Sequence, residues 1–291
     1  MKKTGRFLLA CGILILAVPA LYAQNDSQTS SLKGMTLNGA TGLYTVPSGR
    51  IGWERSADVG LDLGGSFNFI EHNGVVKAGL SLFKWVELTG AVDFQPMDEE
   101  YLTIPRAGLR YSYKDGDFDN DIIFGAKVQF PTGKTAVALG GNLQVLSRDE
   151  HWRSAGQIYA AATYGGSFFD WPAEVSLALG YTFTKEGHKD IDFGMGFDMV
   201  LMPNVLKNFV HWIVDFSNFS YSVDSMGIDP WYRGDLNTGI RVDLAAIPAL
   251  KKFKFNVDLM LLDILDDDDA QTGGRTVAVN LVFGVPLKQA R

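Results

Sequence analysis

From Val59 almost to its end, the chain repeats one pattern: runs of roughly ten residues in which apolar and polar side chains alternate, divided by turn-rich stretches. A period of two puts successive side chains on opposite faces of an extended strand, so each run has an apolar and a polar face. In the clearest run Val59, Leu61, Leu63, Phe67 and Phe69 share one face, and Gly60, Asp62, Gly64, Ser66 and Asn68 the other. Twelve further runs follow, at 76–82, 86–95, 106–113, 122–130, 137–145, 158–165, 174–183, 191–199, 210–217, 240–244, 253–261 and 276–285. No helical periodicity of comparable length competes with them.

The content of the two faces separates the architectures that alternate in this way. One face is almost entirely Val, Leu, Ile, Phe and Tyr; the other is rich in Gly, Ser, Asn, Asp and Lys. So many long strands would make an unusually large soluble sandwich. In a membrane barrel the apolar face meets lipid, the polar face lines the lumen, and closure satisfies the backbone hydrogen bonds that hydrocarbon cannot. Aromatics gather where runs end, at Phe83 and Trp85, Tyr111 and Tyr113, Phe168, Phe169 and Trp171, and Tyr181 and Phe183, as interfacial girdles require. The expected fold is all-β: a membrane-spanning, antiparallel, up-and-down β-barrel of twelve to fourteen strands. Closure favours an even count. Thr36–Val46 supplies a fourteenth strand, the favoured reading, whereas twelve results if Gly156–Gly165 is not an independent strand.

Residues 1–23 read as a signal peptide: Lys2, Lys3 and Arg6 precede a short apolar run, 7–21, and Ala23 offers a small residue for cleavage. Residues 24–35 read as a flexible lead-in and 36–291 as the barrel domain. The one cysteine, Cys11, lies in the leader, so no disulfide framework exists. The net charge of −7 argues against a nucleic-acid partner, and removing the cationic leader makes the chain more acidic still. Export, acidity and a lack of cysteine point to a bacterial outer-membrane location, with the lipid bilayer and the barrel-assembly machinery as partners.

The stretch 38–50, Asn-Gly-Ala-Thr-Gly-Leu-Tyr-Thr-Val-Pro-Ser-Gly-Arg, resembles the opening motif of YjbH-like outer-membrane proteins linked to exopolysaccharide. The resemblance rests on Gly39, Thr41, Gly42, Leu43, Pro47 and Arg50, covers Met35 to Gly74, and departs from the family at Gly49, where Ala is usual. It implies an envelope location and carries no catalytic residues. A further departure lies at the other end, where the last aromatic, Phe283, is followed by eight residues rather than closing the chain.

Catalytic and metal-binding patterns are largely missing. Pro131-Thr-Gly-Lys134 lacks the first glycine of a phosphate-binding loop and reads as a turn. Asp115–Asp121 lacks the Gly and the bidentate Glu of a calcium loop. Asp266–Asp269 reads as a charged loop. The four histidines, 72, 151, 188 and 211, have no metal spacing. The chain is not expected to be an enzyme, and no cofactor or metal is expected. What remains is the lumen. Arg106, Arg110, Lys114 and Lys127, on two consecutive runs, would form a basic wall; Glu174, Asp192, Asp198 and Asp215 would form an acidic one. Opposed walls give a transverse field that tunes ion selectivity, or else pair across a filled lumen and hold it shut. The expected function is a narrow channel for ions or small polar solutes. The alternative is a structural or assembly barrel linked to envelope or exopolysaccharide biogenesis. Oligomeric state is not readable from the sequence.

Overall fold

The computed structural model describes residues 34–53, 57–69, 74–96, 103–104, 109–110, 118–132, 134–145, 154–183, 191–218, 234–247, 249–250, 252–265 and 275–289. The leader, most of the lead-in, Arg106, Lys114 and the acidic stretches 115–117 and 266–269 lie outside them.

The described residues form fourteen strands: β1 Ala57–Asn68, β2 Gly74–Leu82, β3 Val86–Pro96, β4 Thr103–Ile104, β5 Leu109–Arg110, β6 Phe118–Thr132, β7 Thr135–Val145, β8 Ser154–Phe168, β9 Trp171–Phe183, β10 Asp192–Val200, β11 Val210–Ser217, β12 Asp235–Asp243, β13 Lys254–Leu262 and β14 Thr276–Gln289. Twelve of them close one antiparallel barrel in the order β1-β14-β13-β12-β11-β10-β9-β8-β7-β6-β3-β2. Closure is made by β1 on β14, from Asn68↔Ala278 to Ala57↔Gln289.

The barrel therefore has twelve strands, not fourteen, and the difference has two causes. The run 106–113 is not a wall strand: β3 pairs directly with β6, from Val86↔Val128 to Pro96↔Phe118, which leaves no edge between them. The described part of that run is β5, which pairs with β4 in a separate two-stranded sheet. Thr36–Val46 is not a strand either, but part of a segment folded inside the barrel. Gly156–Gly165, in contrast, belongs to the 15-residue strand β8.

The period-two pattern is realised side chain by side chain. Phe124, Leu139, Ile158 and Leu259 stand on the outer surface, each more than half exposed, while Lys127, Asn142, Gln157 and Asp258 on the same strands point inward and are buried. An apolar exterior that would be a liability in water is the required surface against lipid.

Connections at the two ends differ in length. Residues 83–85, 133–134, 169–170, 201–209 and 244–253 link strands at the end where β1 begins and β14 finishes; 97–117, 218–234 and 263–275 are among the links at the other. Two of the tight turns place non-glycine residues at positive φ: Phe83 and Lys84, and Phe169 and Asp170. Positive φ at successive turn residues matches the right-handed twist of a hairpin. Phe there, rather than Asn or Gly, puts an aromatic ring at the rim, and Phe83, Trp85, Phe168 and Phe169 are all exposed. The local backbone cost, of order 1 kcal/mol per residue, is accepted where an interfacial aromatic is wanted.

Candidate functional site: a lumen filled by residues 34–53

Residues 34–53 enter the barrel, bend back on themselves and leave to start β1. Apart from Gly52, every one of them is buried. The segment is neither helix nor strand. It holds its shape through bridges Met35↔Thr41 and Gly42↔Pro47 and through turns such as Thr36 N–H to Ala40 O at 2.8 Å, Leu43 N–H to Val46 O at 2.9 Å and Ser48 N–H to Thr41 O at 2.9 Å. Leu37, Leu43, Tyr44 and Val46 form the apolar centre, packed on small inward residues of the wall such as Ala178 and Ala278.

Remaining main-chain groups of this inner loop must find partners in the wall, because an unpaired buried peptide group costs roughly 1–3 kcal/mol. The wall supplies them from an opposed pair. Glu87 of β3 and Lys127 of β6 are directly cross-strand and 3.1 Å apart. Lys127 Nζ donates to the carbonyls of Thr41 (3.0 Å), Ser48 (3.1 Å) and Arg50 (2.8 Å). Glu87 accepts from the Thr41 N–H (2.7 Å), the Thr41 hydroxyl (2.5 Å) and the Gly52 N–H (3.2 Å). One ion pair thus reads both ends of the loop's descending limb, donating to its carbonyls and accepting from its amides.

The rest of the seat follows the same chemistry. Asp215 Oδ2 accepts the N–H groups of Tyr44 (2.8 Å) and Thr45 (2.7 Å), while Asn237 donates to its other oxygen at 2.9 Å. The Thr163 hydroxyl meets the Ser48 hydroxyl and the Gly49 N–H, both at 2.9 Å; Gln129 accepts from the Ile51 N–H at 2.6 Å. Arg50 lies 3.4 Å from Glu174 and donates to the Lys134 carbonyl at 2.6 Å. Near the short-turn end, the Trp53 indole donates to Asp62 (2.9 Å), which also accepts from Lys254 (2.8 Å), and Lys254 sits 5.1 Å from the Trp53 ring centre.

Glycine on the wall makes room for this contact. A β-carbon on Gly60 would meet the Trp53 ring at 2.2 Å, and one on Gly196 would meet Leu43 at 2.6 Å. Within the loop, Gly39 has φ +87° and Gly49 would bring a β-carbon to 2.3 Å from the Ala136 carbonyl. The second fact explains why Gly, and not Ala, stands at position 49.

Of the eight wall residues expected from the sequence, Lys127, Glu174, Asp192, Asp198 and Asp215 point inward and are buried. Of the four residues expected in a basic wall, Lys127 is on a described wall strand and Arg110 is not. Arg110 belongs to β5, outside the barrel, because the run carrying it does not enter the wall; Arg106 and Lys114 are outside the described residues. Lys127 lies directly opposite an acid, Glu87. On the acidic side, Asp192 accepts from Thr182 (2.6 Å) and Gln157 (3.0 Å). Asp198 takes part in a network in which Arg241 donates to it at 2.7 Å and to both oxygens of Asp258 at 2.7 and 2.9 Å, with His211 Nδ1 at 2.5 Å from Asp198. Gly34, at the start of the inner loop, lies against the Arg241 guanidinium.

Glu87, Asp62, Asp258, Lys77, Lys254 and Arg241 were not singled out in the sequence. Each occupies an inward position of its run, so phase alone placed it in the lumen; its partner depends on strand register. Among the described residues, no group of three or more His, Cys, Asp or Glu is arranged to hold a metal.

No family model matches the sequence, and no curated protein does. Solved structures with a similar chain path include the KdgM porin in complex with disordered oligogalacturonate (9% identity, 79% of this chain and 99% of that one, TM-score 0.47). Others are the outer-membrane protein Omp33 of Acinetobacter baumannii (10% identity, 80% and 99%, TM-score 0.41) and LpxR from Salmonella typhimurium (7% identity, 78% and 100%, TM-score 0.43). At such identities the likeness concerns the chain path alone.

Proposed function

We propose that this chain is an outer-membrane channel for ions or small polar solutes, closed in the conformation described by residues 34–53. The observation that carries this reading is the way the lumen is filled. The described wall presents a polar inner face, and its centre is occupied by a loop whose first residue lies by Arg241 and whose last lies by Gly60 and Lys254. All three wall residues are close to the short-turn end. A loop that enters and leaves by one end can withdraw without threading a chain terminus through the pore. Short turns lie on the periplasmic side in bacterial barrels, so the loop opens toward the periplasm. Export by the leader and insertion by the barrel-assembly machinery belong to the same reading. We read the chain as non-catalytic: His211, the described histidine, faces the lumen in a structural pair with Asp198.

The test is single-channel recording in planar bilayers, comparing the full chain with a variant lacking residues 34–53. The full chain is expected to show rare openings and the variant frequent, salt-dependent steps. A second reading, a structural or assembly barrel linked to envelope or exopolysaccharide biogenesis, is favoured by one fact: the stretch that resembles YjbH-like proteins is the stretch that fills the lumen. Silence of both proteins, with normal insertion, would favour it over the channel.

A further inference from the structure

The wall that the inner loop covers differs from the opposed-field arrangement expected from sequence. Buried Asp and Glu side chains of the described wall strands outnumber their Lys and Arg by eleven to four. Arg50, a fifth buried cation, belongs to the loop and would depart with it. The loop itself indicates what this wall accepts. Glu87, Asp215 and Asp62 take amide, hydroxyl and indole N–H or O–H groups from it, and Glu174 is ion-paired with its Arg50. Of the wall cations, Lys77 and Lys127 face its carbonyls, whereas Arg241 and Lys254 are turned onto wall carboxylates.

We infer that the pore left when residues 34–53 withdraw admits cations and amine-bearing solutes and rejects anions. The inference rests on the channel reading and deepens it by naming the solute class. Carboxylates confined in a narrow lumen between low-dielectric walls focus a negative potential along the path and concentrate counter-ions there. A departing Arg50 leaves Glu174 facing the path, and departing amides leave Glu87 and Asp215 with unmatched acceptor capacity that an ammonium group can fill.

Two proteins test it: the chain lacking residues 34–53, and the full chain with Leu43→Glu, which drives a carboxylate into the acidic lumen and leaves the wall sequence intact. Reversal potentials under a KCl gradient are expected to show K⁺ favoured over Cl⁻ several-fold in both. Spermidine is expected to reduce the K⁺ current. Adding Glu87→Gln and Asp215→Asn should bring the permeability ratio toward unity. If the deletion variant does not fold, as judged by heat-modifiable migration, Leu43→Glu carries the measurement alone. Steps without K⁺ preference would overturn this inference and leave the channel reading standing. Silence of folded, inserted protein in every variant would overturn both.

Discussion

Lys127→Met removes the group that ties the inner loop to the wall. In the native protein Lys127 is 1% exposed, donates to three loop carbonyls and faces Glu87 at 3.1 Å. Methionine keeps the stem volume but leaves Glu87 buried without its countercharge, and removing one member of a buried pair costs about 3–5 kcal/mol. The Thr41 carbonyl still accepts from the Ser48 N–H, but the carbonyls of Ser48 and Arg50 lose a charged donor, at roughly 1–3 kcal/mol each. The sum exceeds about 5 kcal/mol, comparable with the whole stability of many domains, and it falls on the loop rather than the wall ladder. The docked loop should therefore give way to an undocked one while the barrel stays closed. Trypsin reports this directly, because the Arg50–Ile51 bond is buried in the docked state. A fragment beginning at Ile51 is expected from Lys127→Met and not from the native protein, with heat-modifiable migration unchanged in both. Adding Glu87→Gln removes the uncompensated charge and should restore part of the protection. If the bond stays uncut in Lys127→Met, Lys127 is not what holds the loop.

Three further outcomes are expected. Arg241→Leu leaves the carboxylates of Asp198 and Asp258 facing each other without their shared cation; a loss of about 3–5 kcal/mol should appear as a lower temperature of the heat-modifiable transition, and an unchanged transition would refute the assignment. Leu139→Lys puts a charge in the middle of the lipid-facing side of β7 and should destabilise the inserted barrel by about 2–4 kcal/mol, measured by urea titration in lipid. Single-tryptophan variants keeping Trp53 should resist quenching by brominated lipid, whereas those keeping Trp85, on the outer rim, should be quenched strongly.

The wall was legible in the sequence because a lipid-facing strand must alternate along its whole length. Twelve of the thirteen runs are wall strands, including Ile158–Gly165, whose alternation is blurred because alanine stands on both of its faces, Ala160 and Ala162 outward and Ala161 inward. The run at 106–113 alternates equally well and is not in the wall, since period two reports an extended chain with two faces and not the partner beside it. Register decides that, and β3 meets β6 without it. Thr36–Val46 failed for the opposite reason. Its apolar residues, Leu37, Leu43, Tyr44 and Val46, face no lipid; they gather into a core inside the barrel. The Gly, Thr and Pro among them mark a compact turn-rich path, a meaning that composition does not distinguish from a weak strand. Inward positions such as Glu87 could be read from phase, but their pairing with Lys127 requires knowing which runs are neighbours.

The inner loop also orders the folding of the molecule. It is made before any strand, yet Asn38 bonds to Asn142, 104 residues on, and Tyr44 to Asp215, 171 residues on. Contacts of such separation form slowly, because the intervening chain must first be organised. The loop's seat is complete only when β11 has joined β10 and β3 has met β6. The segment translated ahead of the wall is consequently the last to be seated, and filling of the lumen lags behind closure of the sheet.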